Sequence, residues 1–215
     1  MGVLGMVANP ASGKDVRRLV ARASVFDNQE KRAIVGRVLT GAVAAGARQF
    51  AYLDDPHGIV AGALEDQSSR KTRDTADGHA VDGLEAQALD STRTGTPLDT
   101  ISAARALKDM ACAVTITLGG DGTNRAFAIG WPDAPLLPLS TGTNNVFPSL
   151  LEGTVAGAAA GLIAVGRIAI DEVATQQKLI RVEIEDERDD LALIDAVLSR
   201  ERFVGARALL APEAL

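Results

Sequence analysis

A single cysteine, Cys112, leaves this 215-residue chain with no internal disulfide to form. A disulfide-stapled scaffold is excluded, and a reducing, cytoplasmic setting is the expectation. Cys112 has no basic neighbour to lower its pKa and reads as a small buried residue. Only two histidines occur, His57 and His79; both stand in polar surroundings without metal-ligand spacing, so neither is expected to bind metal. No run approaches the roughly 18 consecutive apolar residues of a membrane span. The opening Met1-Gly2-Val3-Leu4-Gly5-Met6 has neither the basic region nor the length of a signal peptide. Positive charge is in deficit too, with a net charge of −6. Neither a nucleic acid nor a membrane is an expected partner, and any phosphate ligand must be held by local geometry. The patterns GxGxxG, HExxH and CxxC are missing, so a dinucleotide-fingerprint dehydrogenase, a zinc protease and a thiol redox protein have no support.

What is present is a chain 47% hydrophobic, enough to offset chain entropy in a packed core. Short apolar runs at residues 3–8, 49–53, 84–89, 113–118 and 135–139 read as strands. They alternate with helical patterns at 15–20, 28–45, 57–64, 97–110, 124–131 and 154–165. Ile34, Val35, Val38, Leu39, Ala42 and Val43 repeat at helical spacing, with Gly46 as the stop. Thr96-Pro97 supplies an N-cap and first-turn pair, with Leu98, Ile101, Ala104 and Leu107 expected on the inner side. The polar residues 65–83 read as an exposed loop. Alternation of this kind predicts an α/β fold, a Rossmann-like parallel sheet with helices on both faces. After Gly166 the pattern becomes β-rich, with strands expected at 167–171, 178–184 and 191–198 and an acidic hairpin at 183–190. We therefore expect a nucleotide-binding unit at 1–166 and the first strands of a second, incomplete domain at 167–215.

Ligands in parallel sheets sit outside the carboxyl ends of the strands, and three loops rich in Gly, Asn, Ser and Thr fall there. The most informative is Gly119-Gly120-Asp121-Gly122-Thr123. Its glycines allow a sharp turn and close backbone approach, and the helix behind adds N–H donors and a positive dipole end suited to phosphate. A carboxylate inside such a loop repels phosphate. It makes sense if Asp121 takes a proton from a hydroxyl nucleophile or orients a cation; the alternative is an N-capping Asp in a tight turn. In the loop from Asn9 to Lys14, Ser12 and Gly13 offer donors and Lys14 a point charge. It is not a Walker A loop, because Ala8 and Asp15 stand where Gly and Ser or Thr are required. The third loop, Ser140 to Asn145, carries Thr141, Gly142, Thr143, Asn144 and Asn145. These could contact ribose, base or phosphate, or satisfy their own backbone.

Leu118-Gly119-Gly120-Asp121-Gly122-Thr123 resembles the hallmark of the NAD kinase and diacylglycerol kinase superfamily. Asn9-Pro10-Ala11-Ser12-Gly13-Lys14 is similar to its first-loop motif, and residues 138–145 to its nucleotide-contacting loop. Together with Phe26-Asp27-Asn28-Gln29-Glu30-Lys31, the set is most similar to ATP-NAD kinase-like proteins of the acetoin-catabolism X group. The resemblance implies phosphoryl transfer from ATP, or polyphosphate, to a hydroxyl with Mg²⁺; in NAD kinases the acceptor is the 2′-hydroxyl of NAD. It puts the catalytic role on Asp121 and phosphate binding on Gly119, Gly120, Gly122 and Thr123. The substrate-contacting Asn falls on Asn144 or Asn145. Val146 stands where lipid-kinase relatives often carry Asp, which disfavours a lipid acceptor. A lipid or small-alcohol kinase and a nucleotide sensor without turnover are the alternatives. A complete second domain in such proteins forms part of an oligomer interface, so a homo-oligomer is expected where that domain is whole.

Overall fold

Strands without polar alternation are expected to be buried on both faces, and the two at the centre of this molecule are. β1 (Leu4–Ala8) and β4 (Val114–Gly119) are buried at every position and pair in parallel from Leu4 with Val114 to Ala8 with Leu118. The structure, a computed structural model, describes residues 2–13, 27–73, 84–91, 93–142, 145–187 and 189–198. Lys14, Thr143, Asn144, His79, the helix expected at 15–20 and the segment 203–215 lie outside the described residues. β2 (Gln49–Tyr52), β3 (Glu85–Ala88) and β5 (Leu136–Ser140) complete a five-stranded parallel sheet in the order β3-β2-β1-β4-β5. The chain order therefore reverses between β1 and β4, which makes a crevice above their carboxyl ends.

Each face of the sheet has its own core. On one, α1 (Asn28–Ala44), α2 (Ile59–Arg73) and α5 (Gly153–Ala164) cover Leu4, Met6, Val114, Ile116 and Leu118. On the other, α3 (Pro97–Asp109) and α4 (Asp121–Gly130) bring Ala103, Ala104, Leu107 and Phe127 onto Val7, Ala51 and Leu53. Full burial of each large apolar side chain contributes about 1.5–3 kcal/mol. The apolar stripe of α1 is buried at Val35, Val38, Leu39, Ala42 and Val43, and the Asp27 carboxylate caps the helix by accepting from Glu30 N–H. α5 is made of small residues because it lies backbone-close to α1. A Cβ on Gly157 would collide with the Val38 carbonyl, and one on Gly161 would stand 2.7 Å from that of Ala42.

Several expectations are corrected. Residues 65–73 continue α2 instead of forming a loop. No Gly or Pro interrupts them, and their polar groups dock the helix on α1: Arg32 donates to both Asp66 oxygens at 2.6 and 2.8 Å, and Gln67 Nε2 to Gly36 O at 2.8 Å. Leu98 is 61% exposed, not inward; the inner face of α3 runs through Thr100, Ala103, Ala104 and Leu107 at helical spacing. α4 starts at Asp121, three residues early, because Gly120 takes the N-cap position. Residues 167–171 are not a strand. The amides of Arg167 and Ile168 close the end of α5 by donating to Leu162 O, and a single turn, α6 (Ile170–Val173), follows. β6 (Ile180–Val182) and β7 (Asp190–Ala192), shorter than expected, form an antiparallel pair around the acidic turn.

Candidate functional site

The three loops singled out in the sequence meet above the switch point between β1 and β4. Asn9 Nδ2 donates to Thr123 Oγ1 at 2.7 Å, joining the first loop to the first turn of α4. Thr141 Oγ1 donates to Ser12 Oγ at 2.9 Å, joining the third loop to the first. Within the first loop, Asn9 Oδ1 accepts from Ala11 N–H at 2.9 Å and Ser12 Oγ donates to Asn9 O at 2.7 Å, an Asx turn tightened by a hydroxyl. Gly13 ends the described part of the loop at φ 75°, a left-handed backbone. In the third loop Asn145 Nδ2 donates to Ser140 Oγ at 2.8 Å, and Ser140 Oγ to Gly142 O at 2.6 Å.

The glycine loop is shaped by what surrounds it. A side chain on Gly119 would collide with Thr123, and a Cβ on Gly120 would stand 2.8 Å from Asn145 Oδ1. Gly122 differs: no atom lies within 4 Å of where its Cβ would be. From beneath, Thr117 Oγ1 donates to Asn124 Oδ1 at 2.7 Å, and Asn124 Nδ2 donates to Gly120 O at 2.9 Å. This buried pair fixes the turn from strand to helix.

Asp121 is half-buried at the first position of α4, directly after the N-cap residue Gly120. Its Oδ1 accepts from Phe147 N–H at 2.9 Å, and both oxygens lie 3.1 Å from Val146 N. A carboxylate has about four lone-pair sites, so two N–H donors leave it capacity for a hydroxyl or a cation.

Around these residues is a cleft of about 840 Å³, within the usual range of small-molecule sites, about 300–1,000 Å³. Asn9, Ser12, Gly13, Gly120, Asp121, Gly122, Thr123, Thr141, Gly142 and Asn145 all line it. Gly119 lies just behind, in β4.

Other lining residues were not singled out in the sequence. Asp54 pairs with Arg93, and Asp55 accepts from His57 N–H at 2.9 Å and Ile59 N–H at 2.8 Å. Burial pushes the Asp99 carboxyl up in pKa, but donation from Thr94 Oγ, Thr94 N–H and Gly95 N–H outweighs it and holds the group below its ordinary value. Asp55 and Asp99 are engaged in building their own loops, and Asp54 ties the segment after β2 to Arg93. Arg125 lies one turn beyond Asp121, donating Nε to Leu191 O at 2.5 Å and pairing with Asp190, so it ties β7 to the cleft. The spacing Asp121–Arg125 was a usable signal, since residues four apart share a helix face.

Lys31 was missed as a site residue and is fully buried. Its Nζ donates to the carbonyl oxygens of Asn9, Pro10 and Ser12 and to Asn28 Oδ1. The signal was there: Lys31 is in phase with Val35, Val38 and Ala42 on the apolar stripe. Cys112 is buried away from the cleft, with its thiol pushed up to about 11 by burial. Among the described residues no group of three or more His, Cys, Asp or Glu is placed to hold a metal, and no helix is long and apolar enough to cross a membrane.

Comparison with known proteins agrees with this architecture. The chain is 37% identical over 212 residues to acetoin catabolism protein X of Cupriavidus necator, an alignment covering 96% of this chain and 57% of that relative. It is also 41% identical over 68 residues to an uncharacterized protein of Archaeoglobus fulgidus, covering 32% of this chain and 22% of the other. The chain thus spans little more than half the length of the acetoin catabolism protein X that it matches. No solved structure matches it. The acetoin catabolism protein X C-terminal domain matches residues 178–215. With the ATP-NAD kinase N-terminal domain matching residues 14–168, the greater part of its length, the chain belongs to the ATP-NAD kinase family.

Proposed function

We propose that this chain carries the nucleotide-binding half of an ATP-dependent phosphotransferase of the NAD kinase type, acting on the 2′-hydroxyl of NAD. The observation that carries the proposal is the meeting of Asn9–Gly13, Gly120–Thr123 and the residues Thr141, Gly142 and Asn145 around one cleft, with Asp121 at its edge. The loops offer hydroxyls, amides and the first turn of α4 to phosphate oxygens, so an acidic protein can hold an anion locally. Polyphosphate presents the same oxygens and is the alternative donor.

In this reading Asp121 accepts a hydrogen bond from the attacking hydroxyl and takes its proton as the bond to the γ-phosphorus forms and the bond from that phosphorus to the bridging oxygen breaks, releasing ADP. Val146 and Phe147 N–H groups keep its oxygens aimed while this occurs. Mg²⁺ fits as the counter-ion of the nucleotide: it favours phosphate and water oxygens with one or two carboxylates, and Asp121, which lines the cleft with lone pairs left over from its two N–H donors, would supply one of them. Bound there, the ion would neutralise charge on the phosphates.

A second reading is favoured by one observation. Two backbone amides already occupy the Asp121 carboxylate, which suits a nucleotide sensor without turnover as well as an enzyme. Transfer of label from [γ-³²P]ATP to NAD separates the two. The kinase reading expects NADP, and a fall of at least about 100-fold in Asp121→Asn, the lower end of the range for losing a general base. Nucleotide binding with no labelled product favours the sensor.

A further inference from the structure

Among the described residues, four oxygens converge on the Lys31 ammonium: Asn9 O at 2.9 Å, Pro10 O at 3.0 Å, Ser12 O at 2.7 Å and Asn28 Oδ1 at 3.1 Å. Three of them are main-chain carbonyls of the loop that also supplies Asn9 and Ser12 to the cleft wall. A fully buried lysine is costly unless its charge is matched by polar partners. Here the matching groups belong to a loop read as an anion site.

We infer that Lys31 is a positioning residue of that site, gathering the first loop's carbonyl oxygens inward so that the wall facing the cleft is poor in acceptors and biased towards a polyphosphate. The inference rests on the nucleotide reading of the cleft. Carbonyl oxygens turned towards phosphate would repel it, and the ammonium draws three of the four from residues 9–12 to the protein side. With the carbonyls held, Asn9 Nδ2 reaches Thr123 and Ser12 Oγ reaches Thr141. Arginine is no equivalent, because a planar fork cannot point three donors at three converging carbonyls as an ammonium does.

The test measures pyrophosphate and tripolyphosphate binding to the intact chain by calorimetry, in wild type, Lys31→Met and Asn28→Ala. Methionine fills a similar volume without the charge or the donors. Loss of tripolyphosphate affinity by about tenfold or more in Lys31→Met, exceeding the loss for pyrophosphate, is expected when charge-assisted contacts are removed behind an anion. Equal affinity in wild type and Lys31→Met overturns the role of Lys31 and leaves the cleft reading intact. A loss by the same factor for both anions, with a lowered melting temperature, also overturns it by showing general loosening. If Lys31→Met does not fold, Asn28→Ala decides, because it keeps the charge and removes one of the four acceptors. A loss of about two- to fivefold for tripolyphosphate is expected there, and unchanged affinity overturns the inference. A wild-type chain that binds neither anion overturns the nucleotide reading and this role together.

Discussion

Asn9 Nδ2 and Thr123 Oγ1 are 2.7 Å apart, and through them the loop after β1 is bonded to the first turn of α4 across 114 positions of sequence. The two loops flank the switch point of the sheet, and this bond joins them where the β1–β4 ladder ends. Asn9 is further committed through its own Oδ1 to Ala11 N–H, which leaves it little freedom to rotate away.

A double-mutant cycle on this pair is the first prediction. Asn9→Ala and Thr123→Val each remove the bond, and their coupling in chemical denaturation should be about 1 kcal/mol, the usual net worth of such an interaction. A coupling near zero would mean that the loops are not held together by it.

The packing of α5 on α1 makes a second, independent prediction. Gly157 faces the Val38 carbonyl with no room for a Cβ, so Gly157→Ala must push the helices apart. Overpacking of this kind costs about 1–3 kcal/mol, and backbone carbonyls yield less than side chains. Thermal unfolding should show a fall of several degrees. An unchanged midpoint would contradict the backbone-close packing of these helices.

Asp99 links stability to acid. Its folded pKa lies below the ordinary 3.8 because donation from Thr94 and Gly95 outweighs the effect of burial. A depressed carboxylate contributes stability that is fully present above the unfolded pKa and is lost as pH falls through the folded value. Asp99→Asn should therefore be less stable than wild type at pH 7, by about 2 kcal/mol for charge-assisted bonds. The gap should narrow below pH 3.8. A gap that stays constant into acid would contradict the depressed pKa.

How far the sequence spoke for itself depends on the kind of signal. β4 and its glycine loop were readable because continuous β-branched residues ending in Gly119-Gly120 admit few other structures. The stripe of α1 was readable from its periodicity. The extension of α2 to Arg73 was not, because Glu65 to Arg73 looks like solvated loop until Arg32 and Gln67 are seen joining α2 to α1. Lys31 lies in phase with the α1 stripe, which signals its burial, but only the fold shows what its ammonium meets, the carbonyls of Asn9, Pro10 and Ser12. The partners of Asp121, the Val146 and Phe147 amides, lie 25 and 26 residues away and carry no side-chain pattern at all. Local rules found the loops; long-range contacts decided how they are held.

Gly122 offers the most direct measurement of the central claim, that this cleft holds a nucleotide's phosphates. Nothing in the protein occupies the space its Cβ would take, and it lies in the first turn of α4, where alanine is tolerated and stabilises by up to about 1 kcal/mol. Only a ligand close to the loop would object to the methyl group. Calorimetric titration of wild type and Gly122→Ala with ATP and Mg²⁺ should show binding at millimolar concentration or tighter in the wild type. In the variant, affinity should be at least about tenfold weaker, or about 1.4 kcal/mol, with a melting temperature that is equal or higher. No heat with the wild type, or the same affinity in both proteins, would contradict the account.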